Sequence, residues 1–116
     1  MINVKFTSHF IARMRERCEF VDEKTDIYGF LANNYTSGII CHPLDKPIAY
    51  LGLPGLNARI PLKKTDSSNY ISLTYTKGVV YIGYAVPCII NWSYDKDLAL
   101  DKIVSNLDTF DSCELE

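Results

Sequence analysis

Residues 70–86 read Tyr-Ile-Ser-Leu-Thr-Tyr-Thr-Lys-Gly-Val-Val-Tyr-Ile-Gly-Tyr-Ala-Val, and this stretch decides the expected fold. From Tyr70 to Thr76, Ile71, Leu73 and Tyr75 alternate with Ser72, Thr74 and Thr76. A two-residue period places alternate side chains on opposite faces of a strand. Lys77-Gly78 then supplies a tight turn, because glycine takes the positive φ that such turns demand. Val79 to Val86 returns with few polar positions, as a strand covered on both faces does. The stretch predicts an antiparallel hairpin at the centre of a sheet. Phe10, Met14, Ile71, Leu73, Val80 and Ile82 are the expected core.

Upstream, Ile2, Val4 and Phe6 alternate with Asn3, Lys5 and Thr7, the pattern of a short strand with one buried face. Thr7 or Ser8 can cap a following helix, since a hydroxyl accepts from the orphan amides of the first turn. Phe10, Met14 and Cys18 recur at i, i+4 and i+8 and give that helix its buried stripe. Asp22 is a second candidate cap. Ile27, Phe30 and Leu31 continue at helical spacing to Asn33 and Asn34. Residues 38–41, 48–51 and 58–62 are short apolar runs parted by Pro43, Pro47, Pro54 and Gly55, and read as strands. Downstream, Leu100, Ile103, Val104 and Leu107 predict a C-terminal helix over 95–110, with early aspartates suited to its N-terminal dipole. Strands and helices are grouped rather than alternating. The expectation is therefore one α+β domain over residues 1–116, with N-terminal helices packed on a curled antiparallel β-sheet and a C-terminal helix.

Composition excludes several classes. The 116 residues are 47% hydrophobic and 22% charged, which rules out a disordered chain, a collagen or a coiled coil. Residues 1–91 carry ten basic and seven acidic side chains, net +3, whereas residues 92–116 carry two and seven, net −5. The acidic tail suits a solvated terminal helix, or a face that repels nucleic acid. The first twenty residues hold Arg13, Arg15 and Arg17 with no apolar run before them, so no signal peptide is expected. Spanning a bilayer takes about 20 apolar residues, and no run here approaches that. Cys18, Cys41, Cys88 and Cys113 form no CxxC pair and read as reduced thiols of a cytosolic protein. They give no zinc-ligand spacing, and no cofactor is expected.

One array carries chemistry. His9, Arg13 and Arg17 are spaced i, i+4 and i+8 and so line one ridge of the first helix, beside its apolar stripe. Arginine presents a planar, permanently charged fork to phosphate, and histidine exchanges a proton near neutral pH. The alternative is a solvated helix face with the arginines salt-bridged. His9 and His42 are the only histidines. His42 ends a strand, from which it either reaches the ridge as a second proton-transfer group or stands exposed in a turn. Arg59, Lys63 and Lys64 are candidates for RNA backbone contact. Tyr75, with Tyr70, Tyr81 and Tyr84, can stack on bases if exposed and belongs to the core if not.

The segment Phe6-Thr7-Ser8-His9-Phe10-Ile11-Ala12-Arg13-Met14-Arg15-Glu16-Arg17 resembles the opening of small domains of the barnase/EndoU/colicin/RelE superfamily. In several of those families a short strand leads into a helix of the form H-x-x-x-R-x-x-x-R. The resemblance implies metal-independent RNA cleavage, by attack of a ribose 2′-hydroxyl on the adjacent phosphate, with His9, Arg13 and Arg17 in the site. Two functions follow. The first is a small cytosolic endoribonuclease of toxin or phage type, with a candidate protein partner such as an inhibitor. The second is a non-enzymatic binding protein, a toxin-like scaffold or an acidic mimic of nucleic acid, that acts on a macromolecular partner.

Overall fold

The computed structural model describes residues 1–42, 48–78 and 84–96. Their elements are β1 (Ile2–Phe6), α1 (Ser8–Arg17), α2 (Ile27–Asn34), β2 (Ser37–His42), β3 (Ala49–Leu53), β4 (Ala58–Lys64), β5 (Asn69–Ser72), β6 (Thr76–Lys77) and β7 (Tyr84–Tyr94). The expected C-terminal helix lies almost wholly outside the described residues, as do Val80 and Ile82.

The sheet closes on itself. Its order is β3-β2-β7-β1-β5-β4, and β3 pairs again with β4, so six strands form a barrel, with β6 continuing along β4. This corrects the expected arrangement of helices on a curled antiparallel sheet. The sheet is not purely antiparallel either, because β1 runs parallel to both its neighbours, β5 and β7. Closure removes the free edges that an open curled sheet leaves unpaired.

Of the expected hairpin, residues 79–83 lie outside the described residues, and the part that is described is paired otherwise. Residues 70–77 do lie along a neighbour in antiparallel fashion, but that neighbour is β4. The start of β7 pairs with β2 instead. The register explains why residues 70–76 are not one strand. Leu62 faces Ser72, whereas Arg59 faces Thr76, so one extra residue is inserted between β5 and β6. That is a bulge, and it reverses which face the following side chains take. Leu73, Thr74 and Tyr75 are each 0% exposed, within a run from Tyr70 to Thr76 that is buried throughout. Gly78 has the positive φ expected of it, +124°, with room around it.

Side chains fill the barrel, as they must at six strands. Ile40, Leu51 and Ile60 lie in one register across β2, β3 and β4, all essentially buried. Val4 lies between Tyr70 and Trp92 across β5, β1 and β7. Gly38 is needed where it stands: a Cβ there would sit 2.8 Å from the Gly52 carbonyl oxygen of β3. The expected core residues Phe10, Met14, Ile71 and Leu73 are buried.

The helices follow the sequence closely. Thr7 caps α1, its hydroxyl accepting from the Phe10 amide at 3.4 Å. Phe10 and Met14 face inward, and Phe10 meets the edge of Tyr75 at 5.9 Å between centroids. Asp22 does not cap α2; Asp26 holds that position, and Asp22 closes a turn with Lys24 and Thr25. Trp92 fastens the end of α2, its indole N–H donating to the Tyr35 carbonyl at 2.7 Å. Among the described residues, no helix is long and apolar enough to cross a membrane.

Candidate functional site

The expected catalytic array separates into different roles. His9, Arg13 and Arg17 share one ridge of α1, as their spacing requires. Arg17, however, is half-buried, and its guanidinium donates to the Tyr75 carbonyl at 2.8 Å. It fastens α1 to the bulged segment. Arg13 pairs with Glu16 one turn on, at 3.1 Å. His9 is half-buried with its Nε2 shielded from solvent.

His42 does not join this ridge. It ends β2 opposite Tyr84, at the start of β7, whereas Phe6, three residues before His9, lies opposite Tyr94 at the far end of β7. Ten residues of strand cover about 30 Å, and three residues of chain recover at most about 11 Å. The two imidazoles are therefore set toward opposite ends of β7 rather than on one ridge.

The expected RNA-binding residues are dispersed as well. Tyr75 is 0% exposed, so it cannot stack on a base. Burial, with Cys18 beside it, pushes its hydroxyl far above the ordinary tyrosine range. Arg59 lies over the Tyr50 ring at 5.7 Å, and its carbonyl accepts from the Thr76 hydroxyl. Lys63 and Lys64 are exposed at the end of β4, Lys64 lying 6.0 Å from the Tyr70 ring centre. The thiols of Cys41 and Cys88 are poor nucleophiles, because burial raises both. Among the described residues, no three His, Cys, Asp or Glu side chains gather where they could hold a metal ion.

No protein-family model matches this sequence, and no curated protein or solved structure is detectably similar to it. Function must be read from the surface itself.

Two features of the exterior stand out. The first is a polar groove of about 540 Å³ over β5, β1 and β7, whose lining includes Asn3, Lys5, Asp66, Asn69, Asn91 and Ser93. Asn91 donates to Asn3 at 3.0 Å, Asn3 to Asn69 at 2.8 Å, and Asn69 to both oxygens of Asp66 at 2.7 Å. The direction of this ladder is forced. An ionised carboxylate only accepts, so Asn69 must turn its NH₂ toward Asp66 and its oxygen toward Asn3, and the same choice passes on to Asn91. Sequence reading missed these residues because Asn3, Asn69 and Asn91 become neighbours only through the parallel register. The available signal was the alternation that puts Asn3 on the polar side of β1; on β5, Asn69 shares its face with Ile71 and gave none.

The second feature is a shallow cleft, also of about 540 Å³, on the outside of β2 and β7. It is lined by Met1, Ser37, Gly38, Ile39, Pro54, Pro87, Cys88 and Ile89. No lining side chain is charged.

Hydrogen bonds from Asn69 and the Ser68 amide, with Lys64 nearby, hold Asp66 below its ordinary value. A carboxylate lowered on folding adds stability above its unfolded pKa of about 4, and that stability is lost as pH falls through the lowered folded value. The Asn69 side-chain amide resonances should therefore shift in an acid NMR titration with a midpoint below about 4. Asp66→Asn should abolish that transition; an unchanged titration in this variant would assign it to another group.

Proposed function

We propose that this chain is a non-enzymatic binding protein that docks an apolar segment of another protein on the outer face of β2 and β7. One observation carries the reading: Met1, Ile39 and Ile89 are 79%, 38% and 57% exposed around the cleft that Pro54 and Pro87 complete. Contiguous apolar surface on a small protein marks a place where another molecule sits. Both edges of β2 and of β7 are already paired, so a partner gains no main-chain pairing here and must dock through side chains. The lining side chains are uncharged, the Met1 ammonium near Cys88 being the charge at its rim, and they favour an apolar partner segment. The size is that of a peptide site. A standard protein–protein interface takes about 20–30 residues a side, and this cleft offers eight, too few for a stable dimer of the chain.

Sedimentation and capture test this together. The purified chain should sediment as a monomer, and a partner polypeptide bound by it should be lost with Ile89→Asp and kept with Asn91→Ala. A dimer that Ile89→Asp dissolves would make a second copy the occupant and overturn the reading. Equal capture by Ile89→Asp, with its fold intact by circular dichroism, would overturn it as well.

A second reading, metal-independent RNA cleavage, has one observation in its favour: His9, Arg13 and Arg17 occupy a single ridge of a well-capped helix. In that reading His9 alone moves protons, and Arg13 is the cation nearest to it in the ridge. The reaction needs both a base for the 2′-hydroxyl and an acid for the leaving oxygen. With His42 at the other end of β7, the second group is missing among the expected residues, which is why binding is preferred.

A further inference from the structure

We propose that the groove over β5, β1 and β7 is a saccharide site that takes a uronate-containing glycan, independently of the β2–β7 cleft. The parallel register sets out two rows across this face. One is Asn69, Asn3 and Asn91; the other, two residues along each strand, is Ile71, Lys5 and Ser93. Neighbouring side chains in a row are about 4.8 Å apart and the rows are about 6.6 Å apart. A pyranose ring with its substituents spans this spacing.

The chemistry of the rows selects the ligand. In the ladder described above, Asn3 and Asn91 each spend one N–H and at most one lone pair, so each retains a donor and an acceptor facing the groove. A sugar hydroxyl also donates and accepts, and pairs with such an amide in either direction. The amides are held before any ligand arrives, because Asp66 fixes the sense of every bond, so little rotamer freedom remains to be lost. Asp66 itself is engaged by Asn69 and by the Ser68 amide. Lys5 is exposed, stands between Ile71 and Ser93, and is the one cation of the lining. It suits a single carboxylate on the sugar. Nucleobases are disfavoured, because Tyr70, the one aromatic of the lining, is 5% exposed and offers no stacking face.

The test uses the full chain and three probes: oligogalacturonate, cellohexaose and hexauridylate, each titrated against the ¹⁵N-labelled protein. Oligogalacturonate should shift the side-chain amide signals of Asn3 and Asn91 and bind more tightly than cellohexaose. Asn91→Ala should weaken binding of oligogalacturonate about tenfold, the loss of one well-placed hydrogen bond. Lys5→Gln should bring its affinity down to that of cellohexaose and leave cellohexaose itself unchanged. Backbone spectra that superimpose on wild type separate these effects from misfolding. No shift with either saccharide, equal affinity of the two for the wild type, or undiminished binding by Asn91→Ala overturns the proposal. Tighter binding of hexauridylate at the same amides also overturns it, in favour of a nucleic-acid ligand. The β2–β7 cleft is lined by other residues of the same outer face, so these results leave the reading of that cleft to its own test.

Discussion

Phe6→Ala should lower the free energy of unfolding by about 3–5 kcal/mol, the usual cost of emptying an aromatic from a core. Phe6 is 0% exposed at the end of β1. Its ring stacks on Tyr94 at 5.3 Å, tilts against Phe10 at 5.5 Å and meets Trp92 edge-on at 6.1 Å. One side chain thus joins the barrel wall to α1. Truncation leaves a cavity bordered by α1, α2 and β7, whose rings Phe10, Tyr28, Trp92 and Tyr94 surround the site. Urea denaturation measures the loss, and Phe6→Leu should cost clearly less because it keeps most of the volume. A loss below about 1 kcal/mol for Phe6→Ala would mean that α1 does not pack on β1 as described.

Arg17→Met should cost about 1.5–3 kcal/mol, the range for losing a hydrogen bond from a charged group. The guanidinium closes on the Tyr75 carbonyl inside the bulge, where the backbone has left the regular ladder and needs another donor. Loss of the Arg13 pair with Glu16 one turn away, tested with Glu16→Ala, should cost about 0.3–0.5 kcal/mol, and Arg13→Ala should cost less than Arg17→Met. The two arginines share a helix ridge, yet Arg17 reaches a carbonyl of the bulge whereas Arg13 pairs with Glu16 within the helix. Chemical denaturation of these variants gives the comparison. Equal effects of Arg13→Ala and Arg17→Met would return Arg17 to the status of a surface cation.

Most local signals in the sequence hold, Asp22 as a cap being the exception, whereas strand pairing does not follow from them. Alternation at Ile2–Phe6, the Thr7 cap and the Phe10–Met14 stripe each act within a few residues, and each appears where expected. The apolar runs between prolines became β2, β3 and β4. Periodicity says that a segment is a strand; it does not say which strand lies beside it. Lys77-Gly78 made the adjacent return strand the natural partner, yet β5 lies between β1 and β4, and β1 separates β5 from β7. A one-residue bulge is invisible to an alternation count, and Tyr75, open in the sequence between base stacking and the core, lies in the core. For the site, helical spacing correctly put His9, Arg13 and Arg17 on one ridge. The distance from that ridge to His42 depended on the length of β7, and the amide ladder depended on a parallel register between segments 66 residues apart.

The most direct measurement incubates the purified chain with total RNA, with and without EDTA, beside His9→Ala. A non-enzymatic binding protein with its imidazoles at opposite ends of β7 should leave the RNA intact at high protein concentration, and the variant should behave identically. Cleavage that persists in EDTA and falls by about 10²–10⁴-fold in His9→Ala, the range for a positioned proton-transfer group, would contradict this and establish α1 as a catalytic helix.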